Sequence, residues 1–129
     1  MANMEASVYP RKLVAPIGAY FRDQLKLLRL RRRRIVEEDP FRDISRAGDN
    51  AAPDIEADEQ FGHDRVSAMR LQLDRKIIQT RRALARVKIG SYGTCESCGR
   101  MIDTDRLMIY PETSLCINCT RKREKRGRE

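Results

Sequence analysis

Apolar positions recur at helical spacing in two separate stretches of this chain. From about Ile17 to Glu38, Phe21, Leu25, Leu28 and Ile35 alternate at steps of four and three, with Arg32 in the slot between the last two. From about Pro53 to Lys88, Val66, Leu73, Ile77, Leu84 and Val87 keep the same register, with Arg70 and Thr80 in intervening slots. This alternation predicts two helices, each with one narrow apolar seam. Between them, Asp39-Pro40 turns the backbone away from helix, and Gly48, Asn50 and Pro53 extend the break. Ser45 to Pro53 is the expected turn, and Phe41 to Ile44 are expected to form one isolated helical turn. Pro53 suits a first helical turn, where Asp54 and Glu56 meet the positive end of the helix dipole. Gly90 supplies the stop. Two matching seams joined by a short connection pack as an antiparallel hairpin.

The first 16 residues hold Pro10 and Pro16 and show no clear period, so they are read as an extended arm. The expected fold is mainly α: a long antiparallel coiled-coil hairpin, a small four-cysteine zinc-knuckle module and a short C-terminal helix. The divisions are an N-terminal arm over 1–16, the hairpin over 17–89 with an acidic turn around 39–53, the zinc finger over 90–120, and a basic tail over 121–129.

Composition agrees with this outline. Charged residues make up 36% of the 129 positions and aromatic residues 5%, with no Trp. That is too little bulk for a sizeable core, but it suits wet helices and a metal-stabilised module. No run of 18 apolar residues exists to span a membrane, and Arg11 and Lys12 interrupt any N-terminal apolar stretch, so the expected compartment is the cytosol.

The four cysteines carry the most specific chemistry. Cys95-Glu96-Ser97-Cys98 and Cys116-Ile117-Asn118-Cys119 are two Cys-x-x-Cys pairs seventeen residues apart. Two intervening residues let each pair form a tight turn with both sulfurs on one ion, and Gly99 can take the backbone geometry such a turn needs. The intervening segment is expected to form a hairpin that returns the second pair. Four thiolates fill a tetrahedral zinc sphere and leave no position for water or substrate, so the site is structural. The competing readings are a redox dithiol and a pair of disulfides. A redox Cys-x-x-Cys is normally single and follows a strand–helix pattern absent here, and a cytosolic setting disfavours disulfides. His63 is read as a surface or hairpin-packing residue because the sphere is already full. Asp103-Thr104-Asp105 reads as turn residues of the knuckle hairpin rather than as paired catalytic carboxylates.

Charge is sharply segregated. Between Glu37 and Asp64 ten acids face only Arg42 and Arg46, although the whole chain is +8. Basic residues gather on both sides, notably Arg31 to Arg34 and the run from Arg121 to Arg126. The first run reads as a solvated helix face whose aliphatic stems cover the seam, or as a contact surface for phosphate or an acidic partner. A uniform nucleic-acid binder would not need the acidic block.

The order helical hairpin, Lys88-Ile89-Gly90-Ser91-Tyr92-Gly93-Thr94-Cys95-Glu96-Ser97-Cys98-Gly99, Arg106-Leu107, Pro111 and Leu115-Cys116-Ile117-Asn118-Cys119 resembles the DksA/TraR family of bacterial transcription regulators. The resemblance covers about 54–120 in sequence pattern and 17–53 in architecture only. It implies a protein that binds RNA polymerase rather than DNA, through the polymerase's secondary channel, with acidic residues at the hairpin tip approaching the active centre. Some members act with ppGpp, so that alarmone enters as a possible cofactor beside one structural zinc. The best-known family tip reads Asp-x-x-Asp-x-Ala. Here the nearest match is Asp54-Ile55-Glu56-Ala57-Asp58-Glu59, with Ala57 in the second aspartate's place and Asp58 one position later. One position on a helix rotates a side chain by about 100°. Asp54 and Asp58 are the candidate tip residues.

The leading expectation is a monomeric, cytoplasmic, non-catalytic transcription regulator with RNA polymerase as partner. The alternative is a basic zinc protein that binds nucleic acid directly through Arg31–Arg34 and the tail, although few aromatics are available as stacking platforms for single strands. A third possibility is an adaptor whose hairpin pairs with another protein's helix. No nucleophile–base constellation points to an enzyme.

Overall fold

A computed structural model describes residues 9–39 and 53–128. Four helices follow in order: α1 Arg11–Glu37, α2 Pro53–Ile89, α3 Thr104–Ile109 and α4 Ile117–Arg128. Among the described residues, β pairing is limited to one isolated antiparallel bridge, Thr94 to Met101. The chain is mainly α, with the two long helices preceding the cysteine cluster. The expected turn from Ser45 to Pro53 and the helical turn from Phe41 to Ile44 lie outside the described residues, apart from the backbone of Pro53.

The fold divides into two compact units, one from Met1–Gln24 with Gln79–Glu129 and one from Leu25–Ile78. In the first, the start of α1 runs antiparallel to the end of α2, so close that a Cβ on Gly18 would stand 3.0 Å from Val87 Cγ1. Its core holds Phe21, Thr80, Ala83 and Ile102, all fully buried, with Val14, Leu84, Tyr92 and Leu107 around them. The Phe21 ring meets Tyr92 edge-on at a centroid distance of 5.8 Å, a geometry that adds to simple burial.

In the second unit Leu25, Leu28 and Val66 are buried, whereas Ile35, Leu73 and Ile77 are only partly covered. Two polar contacts set the antiparallel register. Arg32 Nε donates to Asp74 Oδ1 at 2.5 Å, and His63 Nδ1 lies 2.9 Å from both carboxylate oxygens of Asp39. Arg32, a break in the apolar pattern, thus occupies its seam slot by pairing across to α2. His63 is a hairpin residue, as its distance from the cysteines in sequence suggests.

Two expectations need correction. α1 begins at Arg11, six residues before the expected start at Ile17, and Pro16 lies inside it. Pro16 cannot donate to the carbonyl of Lys12, a real loss in a helix interior. Burial of Val14 and the bond from Tyr9 Oη to the Ile102 carbonyl at 2.7 Å hold this turn by tertiary contact. Propensity alone would have ended the helix there. Secondly, the segment between the cysteine pairs is not a simple hairpin but is centred on the six-residue α3. Asp103 is its N-cap, its carboxylate accepting from Asp105 N–H at 3.2 Å. The Asp103-Thr104-Asp105 run read as a turn is therefore a helix start, with Leu107 buried one turn later.

Candidate metal centre

The turn that leads from α2 into the cysteines is built on Gly90 and Gly93. Gly90 has φ 94°, and both its N–H and that of Ser91 donate to the Arg86 carbonyl at 2.9 Å, ending the helix in a left-handed cap. Gly93 has φ 83°, and a Cβ there would overlap the Tyr9 ring. Tyr92 Oη donates to the Pro111 carbonyl at 2.9 Å. Burial, reinforced by Glu112 against the opposing pull of Arg86, pushes the Tyr92 hydroxyl up to about 12.

Each cysteine pair is held by its own backbone. Cys95 N–H donates to the Arg100 carbonyl at 2.8 Å and Gly99 N–H donates back to the Cys95 carbonyl at 3.0 Å, closing the first knuckle. Ile102 N–H to the Gly93 carbonyl, at 2.7 Å, fastens the loop's base. The second pair opens α4, where Thr120 N–H and Thr120 Oγ1 both donate to the Cys116 carbonyl at 2.9 Å. Arg106 joins α3 to this pair, its Nε donating to the Leu115 carbonyl at 3.2 Å and its Nη2 to Thr120 Oγ1 at 3.0 Å. Glu96 N–H to the Ser114 carbonyl, at 2.9 Å, ties one knuckle to the approach of the other.

These bonds bring the sulfurs of Cys95, Cys98, Cys116 and Cys119 within 4.8 Å of one another. A tetrahedron with Zn–S bonds of about 2.3 Å requires sulfur separations of about 3.8 Å. Cys98 Sγ and Cys116 Sγ are 3.7 Å apart. Cys95 is buried, Cys98 exposed and the other two between. Burial raises the Cys95 thiol, but backbone N–H groups of Cys116, Cys98 and Ser97, with the Cys98 side chain, outweigh it and bring Cys95 down to about 6. Cys119 moves the other way, to about 11, chiefly because its hydrogen bond to Cys116 favours the thiol. Four thiolates packed this closely repel one another, and a dication between them offsets that repulsion. Donor type, number and spacing fit one structural zinc, and four cysteine ligands fill its sphere.

Arg86 is a residue that pattern reading missed. It is buried in the last turn of α2, and Nη2 donates to the carbonyls of Glu112 and Thr113 at 3.2 and 3.1 Å. Nη1 lies 4.0 Å from Glu96 Oε1. A last-turn arginine ordinarily faces water beside the negative end of the dipole; here it anchors the approach to the second cysteine pair. Glu112 and Thr113, also buried, belong to the same anchor. A cation within one turn of the Gly90 stop was the available signal.

The candidate tip residues belong to the other unit. Asp54 and Asp58 fall in the opening turns of α2, four positions apart, and Asp58 is exposed. No described helix is long and apolar enough to cross a membrane.

Residues 90–125 match the prokaryotic dksA/traR C4-type zinc finger family. The transcription factor DksA2 from Pseudomonas aeruginosa has a similar structure, with a TM-score of 0.59 at 20% identity over 92% of this chain and 83% of that one. No curated protein matches the chain. The segment 90–125 thus matches the DksA/TraR C4-type zinc finger family, and the fold of the chain is similar to that of DksA2.

Proposed function

We propose that this protein is a DksA-type transcription regulator that acts on RNA polymerase, its hairpin entering the secondary channel and its zinc finger serving as a structural base. The observation that carries the reading is the joint presence of the dksA/traR zinc finger and the DksA2-like helical fold in one chain. The charge pattern supports it. The acidic stretch from Glu37 to Asp64 spans the connection between α1 and α2, with basic sequence on both sides, as an approach to a cationic catalytic centre requires. Asp54 and Asp58 are the tip carboxylates in this reading. They lie about 40° apart around the helix, so both serve one face. The protein acts in the cytoplasm without catalysing a reaction, and zinc holds the module without touching substrate.

The test separates binding from effect. Core RNA polymerase is captured on the zinc-loaded protein, and transcription in vitro is scored with the wild type and with Asp54→Asn/Asp58→Asn. Retained affinity with lost effect supports the tip mechanism. Retained affinity with unchanged effect removes the tip from the mechanism, and no capture of polymerase by the wild type removes the reading altogether.

A further inference from the structure

Helix α4 does not behave like a packing element. Its sequence, INCTRKREKRGR, holds six cations and one acid, and every residue from Arg121 to Gly127 is exposed. After Ile117 it carries no large apolar side chain. Twelve residues are marginal as a helix by themselves, and here Arg121 faces Lys125 and Lys122 faces Arg126 at four-residue spacing, where like charges repel. The start is fastened, through the cysteines and through Thr120 with Arg106.

The ordinary explanation for basic residues at a helix C-terminus is the macrodipole, but that influence fades beyond the last turn. Arg121 and Lys122 sit in the first half and Arg123 just past the middle, α4 has no acid in its first turn, and cations ahead of the last turn gain nothing from the dipole. Insertion into a membrane interface also fails, because it requires an apolar face.

The arrangement around the axis favours one class of polyanion. At 100° per residue, Arg121, Lys122, Arg123, Lys125 and Arg126 cover an arc of about 200°, with Glu124 outside it. Glu124 shares a recess with Thr120 and Arg106; Lys122, Arg123 and Arg126 border the recesses beside the knuckle, and all five cations remain exposed. A flat acidic protein surface would match about half of such an arc. A duplex groove presents phosphates on both walls, and a B-form major groove of about 12 Å admits a helix.

We propose that α4 is a sequence-independent contact for duplex nucleic acid, using Arg121, Lys122, Arg123, Lys125 and Arg126 on the phosphate backbone. It is separate from the hairpin, and its principal measurement contains no polymerase. Binding of the full-length, zinc-loaded protein to a fluorescent 30-base-pair DNA of arbitrary sequence is followed by anisotropy from 50 to 200 mM salt. Five phosphate contacts predict a log–log slope of about −4.5 and a loss of affinity of about 500-fold over that range. Arg121→Gln/Lys122→Gln/Arg123→Gln should cut the slope to about −2 with zinc content and helicity unchanged. Arg31→Gln/Arg33→Gln/Arg34→Gln, an equal change of net charge on exposed α1 positions, should leave it unchanged. No binding at 50 mM overturns the proposal, as does an equal drop in both variants, which would show net charge alone at work. It is likewise overturned if the α4 variant binds the duplex normally but loses affinity for DNA-free core polymerase, which would assign the helix to an acidic protein surface.

Discussion

The zinc-bearing unit and the Leu25–Ile78 unit are built from the same two helices but stabilised in different ways. In the first, Phe21, Thr80, Ala83 and Ile102 are sealed from solvent, and side-chain bonds to backbone carbonyls link segments far apart in sequence. In the second, half of the expected seam is partly wet, and register depends on side-chain contacts near the surface. Metal and packing concentrate order at one unit. The other receives the stability of a two-helix seam and little more. In a DksA-type regulator, that division would place the rigid element under the finger and leave the acidic segment of α2 on the less stable unit.

The sharpest way to break this contrast is to remove the metal. Structural zinc in finger peptides contributes about 10–16 kcal/mol of apparent binding free energy at neutral pH. Cys95→Ser, Cys119→Ser or a chelator should unfold the finger while much of the long-helix signal survives. Far-ultraviolet circular dichroism read beside metal content checks this. Full retention of the finger's amide protection without metal, or loss of all helicity together with zinc, would show that the two units are not unequal in the way described.

A smaller effect should come from the seam, and it should differ between units. Phe21→Ala empties a fully buried site against Tyr92 and should cost about 3–5 kcal/mol. Ile77 has a seam position by sequence but is only partly buried. Ile77→Ala should therefore fall at or below the lower end of the about 2–5 kcal/mol typical of buried sites. Denaturant midpoints of the two variants measure the difference. Equal losses would mean that the second unit is packed as tightly as the first.

Much of this was legible in sequence because period and spacing are local signals. Phe21, Leu25, Leu28 and Val66 are buried where the heptad places them, Gly90 ends α2, and the two Cys-x-x-Cys pairs converge. What escaped depends on distant partners. Pro16 looked like a boundary because the anchor of that turn, Tyr9 on the Ile102 carbonyl, joins residues 93 positions apart. Arg86 went unread because its acceptors, the carbonyls of Glu112 and Thr113, come from beyond the first cysteine pair. The Asp103 cap was the exception. Its signature was local and in view, but the expectation of a knuckle hairpin outranked it.

The smallest expected effect concerns Arg32 and Asp74, the cross-helix pair that lets a charge occupy a seam slot. Both side chains are about two-fifths exposed, at 42% and 39%, so water and salt screen the attraction, and such pairs contribute about 0.2–1 kcal/mol. Asp74→Asn should thus cost less than either seam truncation, and the loss should shrink further in 1 M salt, where the screening length is about 3 Å. Arg32→Met tests the other partner. It removes the charge but restores an apolar residue to the heptad slot, and in a half-buried position it should be neutral or slightly stabilising. A double-mutant cycle at low and high salt isolates the pair from the stems that carry it. A coupling well above 1 kcal/mol that survives 1 M salt would mean this unit shelters the pair from solvent, and the contrast between the two units would then be smaller than burial suggests.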